Sequence, residues 1–298
     1  MIIDDFDSRP GSATSLLRTI IGSYLRALGG WISIADLIRL LSAVEISPSH
    51  ARTAVLRVKN KGLLLPETRL GVNGYLLNPD ANRMLERGDR RIFEFRQQRD
   101  GGAWCLVSFS LPETERAKRH QLRKRLTAIG CGTVATGLWI CPSFMIIGIE
   151  DILTELDLKS FATVFITDTP QVDGTLAEAI KKWWDLPELA KLHLGFLAEF
   201  EHFEETSDPE KAFKGYICTL DSWRVVRYLD PGLQARSLPE DWPGFASAAL
   251  FDRIKWELSP AAAEFVFREP VNLGQGEHPG SNQSKHETDP LSEADSFS

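Results

Sequence analysis

No run of about 18 consecutive apolar residues occurs in the sequence, which excludes a membrane-spanning helix of ordinary length. The opening residues Met1-Ile-Ile-Asp-Asp-Phe-Asp7 are acidic and carry no basic segment, so they do not read as a secretory signal. A cytoplasmic location is the expectation. Cysteine is scarce: Cys105, Cys131, Cys141 and Cys218 are the whole complement and show no C-x-x-C spacing. They lie in or near apolar segments, which points to buried, reduced thiols and away from a metal site. There is no G-x-S-x-G, and none of the six histidines accompanies a nucleophile motif. No clear coiled coil is present either. The reading is of a chain with no catalytic residues, no metal and no resident cofactor.

What is present is ordinary for a folded chain of 298 residues. Hydrophobic residues make up 43% and charged residues 25%, enough for two or three domains. The net charge of −7 taken alone argues against a nucleic-acid partner. Its distribution reverses that. Residues 12–96 hold 13 Lys/Arg against 7 Asp/Glu, a net of +6, and residues 97–130 hold 7 against 3, a net of +4. Residues 131–298 hold 13 against 28, a net of −15. Phosphate binding depends on local cations, so a basic N-terminal part can face DNA while the acidic part faces away.

The basic part centres on Ser47 to Gly62. Ser47 is placed to cap a helix, Pro48 occupies its first turn and Gly62 stops it. Ala51, Ala54, Val55 and Val58 form one apolar stripe. Ser49, His50, Arg52, Thr53, Arg57, Lys59 and Lys61 occupy the other faces. Such a helix can dock on a core and present cations and hydroxyls to a DNA groove. Two helices are predicted before it, over Ala13–Leu28 and from Ser33 onward, with short extended Trp31-Ile32 between them. After it, Leu63–Leu65 and Tyr75–Leu77 read as a hairpin around a loop from Pro66 to Gly74, which carries Arg69 and Asn73. This order is that of a winged helix–turn–helix. A further helix from Asp80 to about Arg91 adds Arg83, Arg87, Arg90 and Arg91, as basic surface or as solvated linker charges.

From Phe93 to Gly102 the pattern breaks. Ala103–Phe109 reads as a strand, Glu113–Ile129 as a helix with Arg116, Lys118, Arg119, Arg123, Lys124 and Arg125 outward, and Thr133–Cys141 as an extended piece bent at Gly137. Phe144–Ile149 is a further candidate strand, followed by a helix over 150–158 and a strand over 161–166. This βαββαβ order predicts a ferredoxin-like sandwich. Residues 175–205, 209–229 and 246–267 read as helices. The whole is an α+β multidomain chain: a flexible N-terminus (1–12), a winged-helix DNA-binding domain (13–96), a ferredoxin-like domain (97–172), a helical C-terminal domain (173–268) and a disordered tail (269–298).

Three stretches resemble one known family. They are Arg52-Thr-Ala-Val-Leu-Arg57 followed by Lys61-Gly-Leu-Leu; Gly137-Leu-Trp-Ile-Cys-Pro142; and Trp184-Asp-Leu186 with Phe196-Leu-Ala-Glu-Phe200 and Leu238-Pro-x-x-Trp-Pro-Gly244. The combination is similar to the PaaX-type bacterial regulators of aromatic-acid (phenylacetate) catabolism, over roughly residues 15–268. Cys141 stands where the pattern has serine, and the tail is not a shared feature. The resemblance implies a winged helix, a central domain similar to small CRISPR-associated nucleases and a helical C-terminal domain. It further implies a homodimeric repressor, released from its double-stranded operator DNA by an aryl-CoA thioester such as phenylacetyl-CoA.

On that reading Ser47, Ser49, His50, Arg52, Thr53, Arg57, Lys59, Lys61, Arg69 and Asn73 are the DNA-binding candidates. Arg57 has an alternative partner in Glu45 or Asp36. A CoA thioester needs cations and aromatic faces, for which Arg116, Arg119, Arg123, Trp183 and Trp184 are the candidates. A solvated face or a second DNA contact is the alternative for the arginines, and core packing for the tryptophans. A metal-dependent nuclease on the central domain is the competing function. It needs an acid on the first strand, and Trp104-Cys-Leu-Val-Ser-Phe-Ser110 has none.

Overall fold

A computed structural model describes residues 9–94 and 96–268. The expected tail, and residues 1–8 of the expected lead-in, lie outside the described residues. The chain begins with α1 (Ala13–Ile20), which passes into a π-helical turn over Ile21–Leu25. The single helix predicted to Leu28 therefore gives way to a wider turn. Next come β1 (Trp31–Ser33), α2 (Ile34–Ala43), α3 (Pro48–Asn60), β2 (Leu64–Arg69), β3 (Val72–Leu77) and α4 (Asn82–Phe93). The three strands form an antiparallel sheet in the order β1-β3-β2.

The expected loop from Pro66 to Gly74 is mostly strand. β2 lies at the sheet edge, where the missing N–H of Pro66 is tolerated. The hairpin turns on two residues, Leu70 and Gly71, with φ of 47° and 80°. Positive φ at both positions suits the right-handed twist of the paired strands. A Cβ on Gly74 would run into the Trp31 ring and the Ile32 carbonyl. The glycine thus lets β1 lie against the hairpin.

The middle of the chain runs β4 (Trp104–Phe109), α5 (Arg116–Ala128), β5 (Gly132–Ala135), β6 (Leu138–Pro142), α6 (Ile146–Glu155) and β7 (Ala162–Thr167). Its four strands are antiparallel in the order β5-β6-β4-β7. The third strand arises differently from the expectation. Residues 132–142 split into two strands at Gly137, whose φ is 80°. A Cβ there would lie 2.7 Å from the Phe109 carbonyl oxygen. The stretch predicted as a strand over Phe144–Ile149 is helical instead. Met145, Ile149, Ile152 and Leu153 form one buried stripe against the sheet. A short apolar run carries both periods, and packing decides between them.

The C-terminal part holds α7 (Leu176–Trp183), α8 (Leu186–Phe200), α9 (Pro209–Leu229) and α10 (Gly244–Phe267). Asp185 caps α8 through the Glu188 amide, which divides the predicted 175–205 helix in two. Helices α9 and α10 share a core with the N-terminal module: Leu16, Leu17, Ile20 and Val58 belong to the same buried cluster as Phe213, Trp223, Phe251 and Ile254. A polar bond set fixes the same junction. Buried Asp221 accepts from Ser15 Oγ at 2.7 Å, Thr19 Oγ1 at 2.7 Å, the Gly11 amide at 2.8 Å and the Arg224 guanidinium at 3.2 Å. Gly11, in the expected lead-in, is thereby tied down.

Candidate nucleic-acid interface

Helix α3 forms as its residues dictate. Ser47 accepts from the His50 amide, Pro48 opens the helix, and Gly62 follows it at φ 81°. Ala51, Ala54 and Val58 are fully buried and Val55 half-buried. The stripe anchors the helix, and the opposite side faces outward. Ser47, Ser49, His50, Arg52, Thr53, Arg57 and Lys61 are exposed, and Lys59 is half-buried.

Arg57 does not take either alternative partner. Glu45 pairs with Lys214 at 2.7 Å, and Asp36 with Arg39 at 3.6 Å. Among the described residues no carboxylate lies within ion-pair distance of Arg52, Arg57, Lys59 or Lys61. Such cations are available to a polyanion at no cost in broken internal pairs. Thr53 is partly committed, since its hydroxyl donates to the Ser49 carbonyl at 3.2 Å. Ser49 and Ser47 share a hydroxyl contact at 3.1 Å.

The hairpin stands beside this helix, braced rather than loose. Trp31 Nε1 donates to the Glu67 carbonyl at 3.3 Å, and the Arg69 guanidinium lies 5.5 Å from the Trp31 ring centroid. Arg69 also pairs with Glu67 at 2.6 Å. Asn73 accepts from Thr68 Oγ1 at 2.8 Å across the hairpin. Both predicted residues lie next to the tip, each with a bond inside the hairpin. The tip carries Leu70, fully exposed, which the sequence pattern did not single out.

The α4 arginines, ambiguous in sequence, split into groups. Arg83 and Arg87 reach across to α6: Arg83 to Asp151 at 2.5 Å, Arg87 to Asp151 at 3.2 Å and to Glu155 at 2.7 Å. Burial alone would lower the Arg87 pKa; bonding and charge from Glu155 and Asp151 outweigh it and raise it. Arg91 donates to the carbonyls of Ile129, Tyr228 and Asp230. Arg125, predicted to face outward on α5, is buried and pairs with Glu155 at 2.8 Å. A carboxylate one helix away draws it inward, which helical spacing does not reveal. Asn78 links this region to α3, donating its Nδ2 to the Gly62 carbonyl at 2.7 Å.

The residues predicted for an acyl-CoA do not gather into one site. Arg116 and Arg119 pair with Glu113 at 3.8 and 2.7 Å, and Arg123 is exposed on the same helix. Trp184 is buried in a separate cluster with Trp104 and Ile140, its Nε1 donating to the Gly130 carbonyl at 2.8 Å. Trp183 packs against it at 6.2 Å.

One constellation resembles a hydrolase triad but lacks its chemistry. His193 Nδ1 lies 2.6 Å from Ser247 Oγ and Nε2 3.2 Å from Asp230 Oδ2. All three residues are buried, and the Ser247 hydroxyl donates to the Gly244 carbonyl. The hydroxyl is enclosed by the core, and no substrate reaches the oxygen. Asp230 is held below the usual carboxylate range: burial pushes it up, but the bond from His193, the Arg227 charge and the Gly232 amide win. Strand β4 carries no acid, and among the described residues no three His, Cys, Asp or Glu side chains cluster as metal ligands.

Comparison with known proteins fits this arrangement. Residues 12–79 match the family described as "PaaX-like protein", residues 97–179 the "PaaX protein central Cas2-like domain", and residues 184–268 the "PaaX-like protein C-terminal domain". The transcriptional repressor PaaX of Escherichia coli (strain K12) is 27% identical over 284 residues, covering 91% of this chain and 89% of that protein. Among solved structures, uncharacterized protein Rv0674 from Mycobacterium tuberculosis shares the fold with a TM-score of 0.55. It is 21% identical, and the match covers 84% of this chain and 97% of that one. With three successive matches spread across the chain and a relative aligned over nearly its full length, the protein belongs to the PaaX family.

Proposed function

We propose that the chain is a DNA-binding transcriptional repressor of aromatic-acid (phenylacetate-type) catabolic genes, a regulator rather than an enzyme. It acts as a homodimer on double-stranded operator DNA and leaves it when an aryl-CoA thioester binds. The observation that carries this reading is the outward face of α3, where Arg52, Arg57 and Lys61 are exposed without internal ion pairs beside a braced hairpin. In this reading residues 13–96 are a winged helix–turn–helix, with α3 in the major groove and the hairpin as the wing. Residues 97–172 are a ferredoxin-like domain, and residues 173–268 a helical domain. The name of the E. coli relative supports the repressor role. Two-fold symmetry of a dimer would match a palindromic site.

The test is retardation of the promoter beside the protein's own gene, with and without phenylacetyl-CoA. A retarded band that phenylacetyl-CoA releases supports the whole reading. No retardation at micromolar protein overturns the DNA role, and a band that aryl-CoA thioesters leave unchanged overturns the effector.

A further inference from the structure

A cavity of about 700 Å³ opens among α4, α5, α6 and the C-terminal end of α9, a volume typical of small-molecule sites. Its lining holds seven arginines against three carboxylates. Arg83, Arg87, Arg90 and Arg91 come from α4, Arg125 from α5 and Arg227 from α9. The rest of the wall is apolar, including Phe144, Ile147, Ile152 and Leu156.

Structural pairing explains part of this charge. Asp151 and Glu155 account for Arg83 and Arg87 as clamps between α4 and α6. It does not explain Arg90, which makes no ion pair or side-chain hydrogen bond among the described residues. Arg91 is held by the carbonyls of Ile129, Tyr228 and Asp230, yet its Nε is buried without a hydrogen-bond partner. Burial lowers the Arg91 pKa against the pull of Asp230. Ile147 is 60% exposed on the same wall. Clustered guanidinium groups beside an aliphatic surface repel one another and are partly desolvated. A ligand with several anionic oxygens and an apolar arm offsets both penalties, since guanidinium forks bind such oxygens in pairs.

We propose that this cavity is the effector site, taking a phosphorylated small molecule whose acyl arm lies on Phe144, Ile147 and Ile152; this rests on the ligand-released repressor read above. The phosphate oxygens engage Arg90 and Arg91 and compete with Asp151 and Glu155 for Arg83 and Arg87. Loosening that clamp frees α4. Its lead-in is bonded to the end of α3 through Asn78, by the side chain to the Gly62 carbonyl and by the amide to the Leu63 carbonyl at 2.9 Å. Occupancy of the cavity therefore reaches the recognition helix over one short connection.

The test is calorimetric titration of the full chain with phenylacetyl-CoA, coenzyme A and phenylacetate, alongside the variants Arg90→Glu, Ile147→Glu and Arg123→Glu. Arg90→Glu is expected to weaken phenylacetyl-CoA and coenzyme A alike by about tenfold or more. Ile147→Glu is expected to weaken phenylacetyl-CoA more than coenzyme A. Arg123→Glu, on the exposed face of α5, leaves both unchanged. Retardation of operator DNA without ligand reports folding and the DNA role separately. If Arg90→Glu and Ile147→Glu retard DNA and bind phenylacetyl-CoA as tightly as the parent, the site is wrong while the repressor reading stands. If the parent binds neither CoA compound at millimolar concentration, the ligand class is wrong. If Arg123→Glu alone loses binding, the site lies on α5.

Discussion

Asp221→Ala is expected to loosen the protein at the junction between its first helix and its C-terminal helices. The carboxylate is buried and accepts four hydrogen bonds, three of them from residues 11–19 and one from Arg224 on its own helix. Alanine takes the opposing charge from a buried guanidinium and the acceptor from two buried hydroxyls. Breaking a buried pair from one side costs about 3–5 kcal/mol. At roughly 2–4 °C per kcal/mol for a chain of this size, the melting temperature falls by roughly 6–20 °C. Asp221→Asn is informative because it keeps the shape. Ser15, Thr19 and Arg224 all bond Oδ1 and only the Gly11 amide bonds Oδ2, so asparagine with its oxygen in the Oδ1 place keeps three acceptors and sets its NH2 against the Gly11 amide. Asparagine is therefore expected to lose less than alanine, namely the charge opposite Arg224 and the Gly11 bond. Differential scanning calorimetry or thermal circular dichroism reads both. An alanine variant melting within about 2 °C of the parent would refute the idea that this bond set fixes the junction.

Arg52→Ala and Arg57→Ala are each expected to abolish operator retardation while leaving the melting temperature within about 2 °C of the parent, since neither makes an internal ion pair. Intact retardation by both would sink the recognition-helix assignment. Gly74→Ala is expected to displace Trp31 from the hairpin and weaken DNA binding, seen as a change in tryptophan fluorescence together with reduced retardation. Unchanged fluorescence would show that the sheet absorbs the added methyl. The depressed Asp230 pKa sets a pH dependence. A carboxylate with a lower pKa folded than unfolded stabilises fully above its unfolded value of about 3.9, and loses that contribution as pH falls through the folded value. The gap in melting temperature between the parent and Asp230→Asn should stay level above about pH 5 and narrow below about pH 4. A gap that widened in acid would reverse the sign and refute the assignment.

Much of this molecule was readable from its residues. The cap, stripe and stop of α3 needed only Ser47, Pro48, Ala51, Ala54, Val58 and Gly62, because a short helix is specified locally. The run 144–149 was misread because four apolar residues in a row satisfy either period; the sheet it packs on makes the choice. Pro66 hid an edge strand, since a proline excludes only a strand paired on both sides. The outward placement of Arg125 followed from helix geometry alone and failed because Glu155 comes from another element. The cavity was out of reach for the same reason. Arg90 and Ile147 are 57 positions apart, and nothing in the spacing of either announces the other. Long-range assembly, not local propensity, is where reading the sequence stopped.

The core shared between α1–α3 and α9–α10 limits how the protein can be taken apart. Family matches suggest three successive parts, which invites expression of the first part as a portable DNA reader. That fragment would expose Leu16, Leu17 and Ile20, which α9 now covers, an apolar patch of the kind that drives self-association. Grafting the reader onto another sensor would need a designed lid in place of those helices. The same dependence means that a frameshift that deletes α10 also strips buried partners from the core of the first three helices.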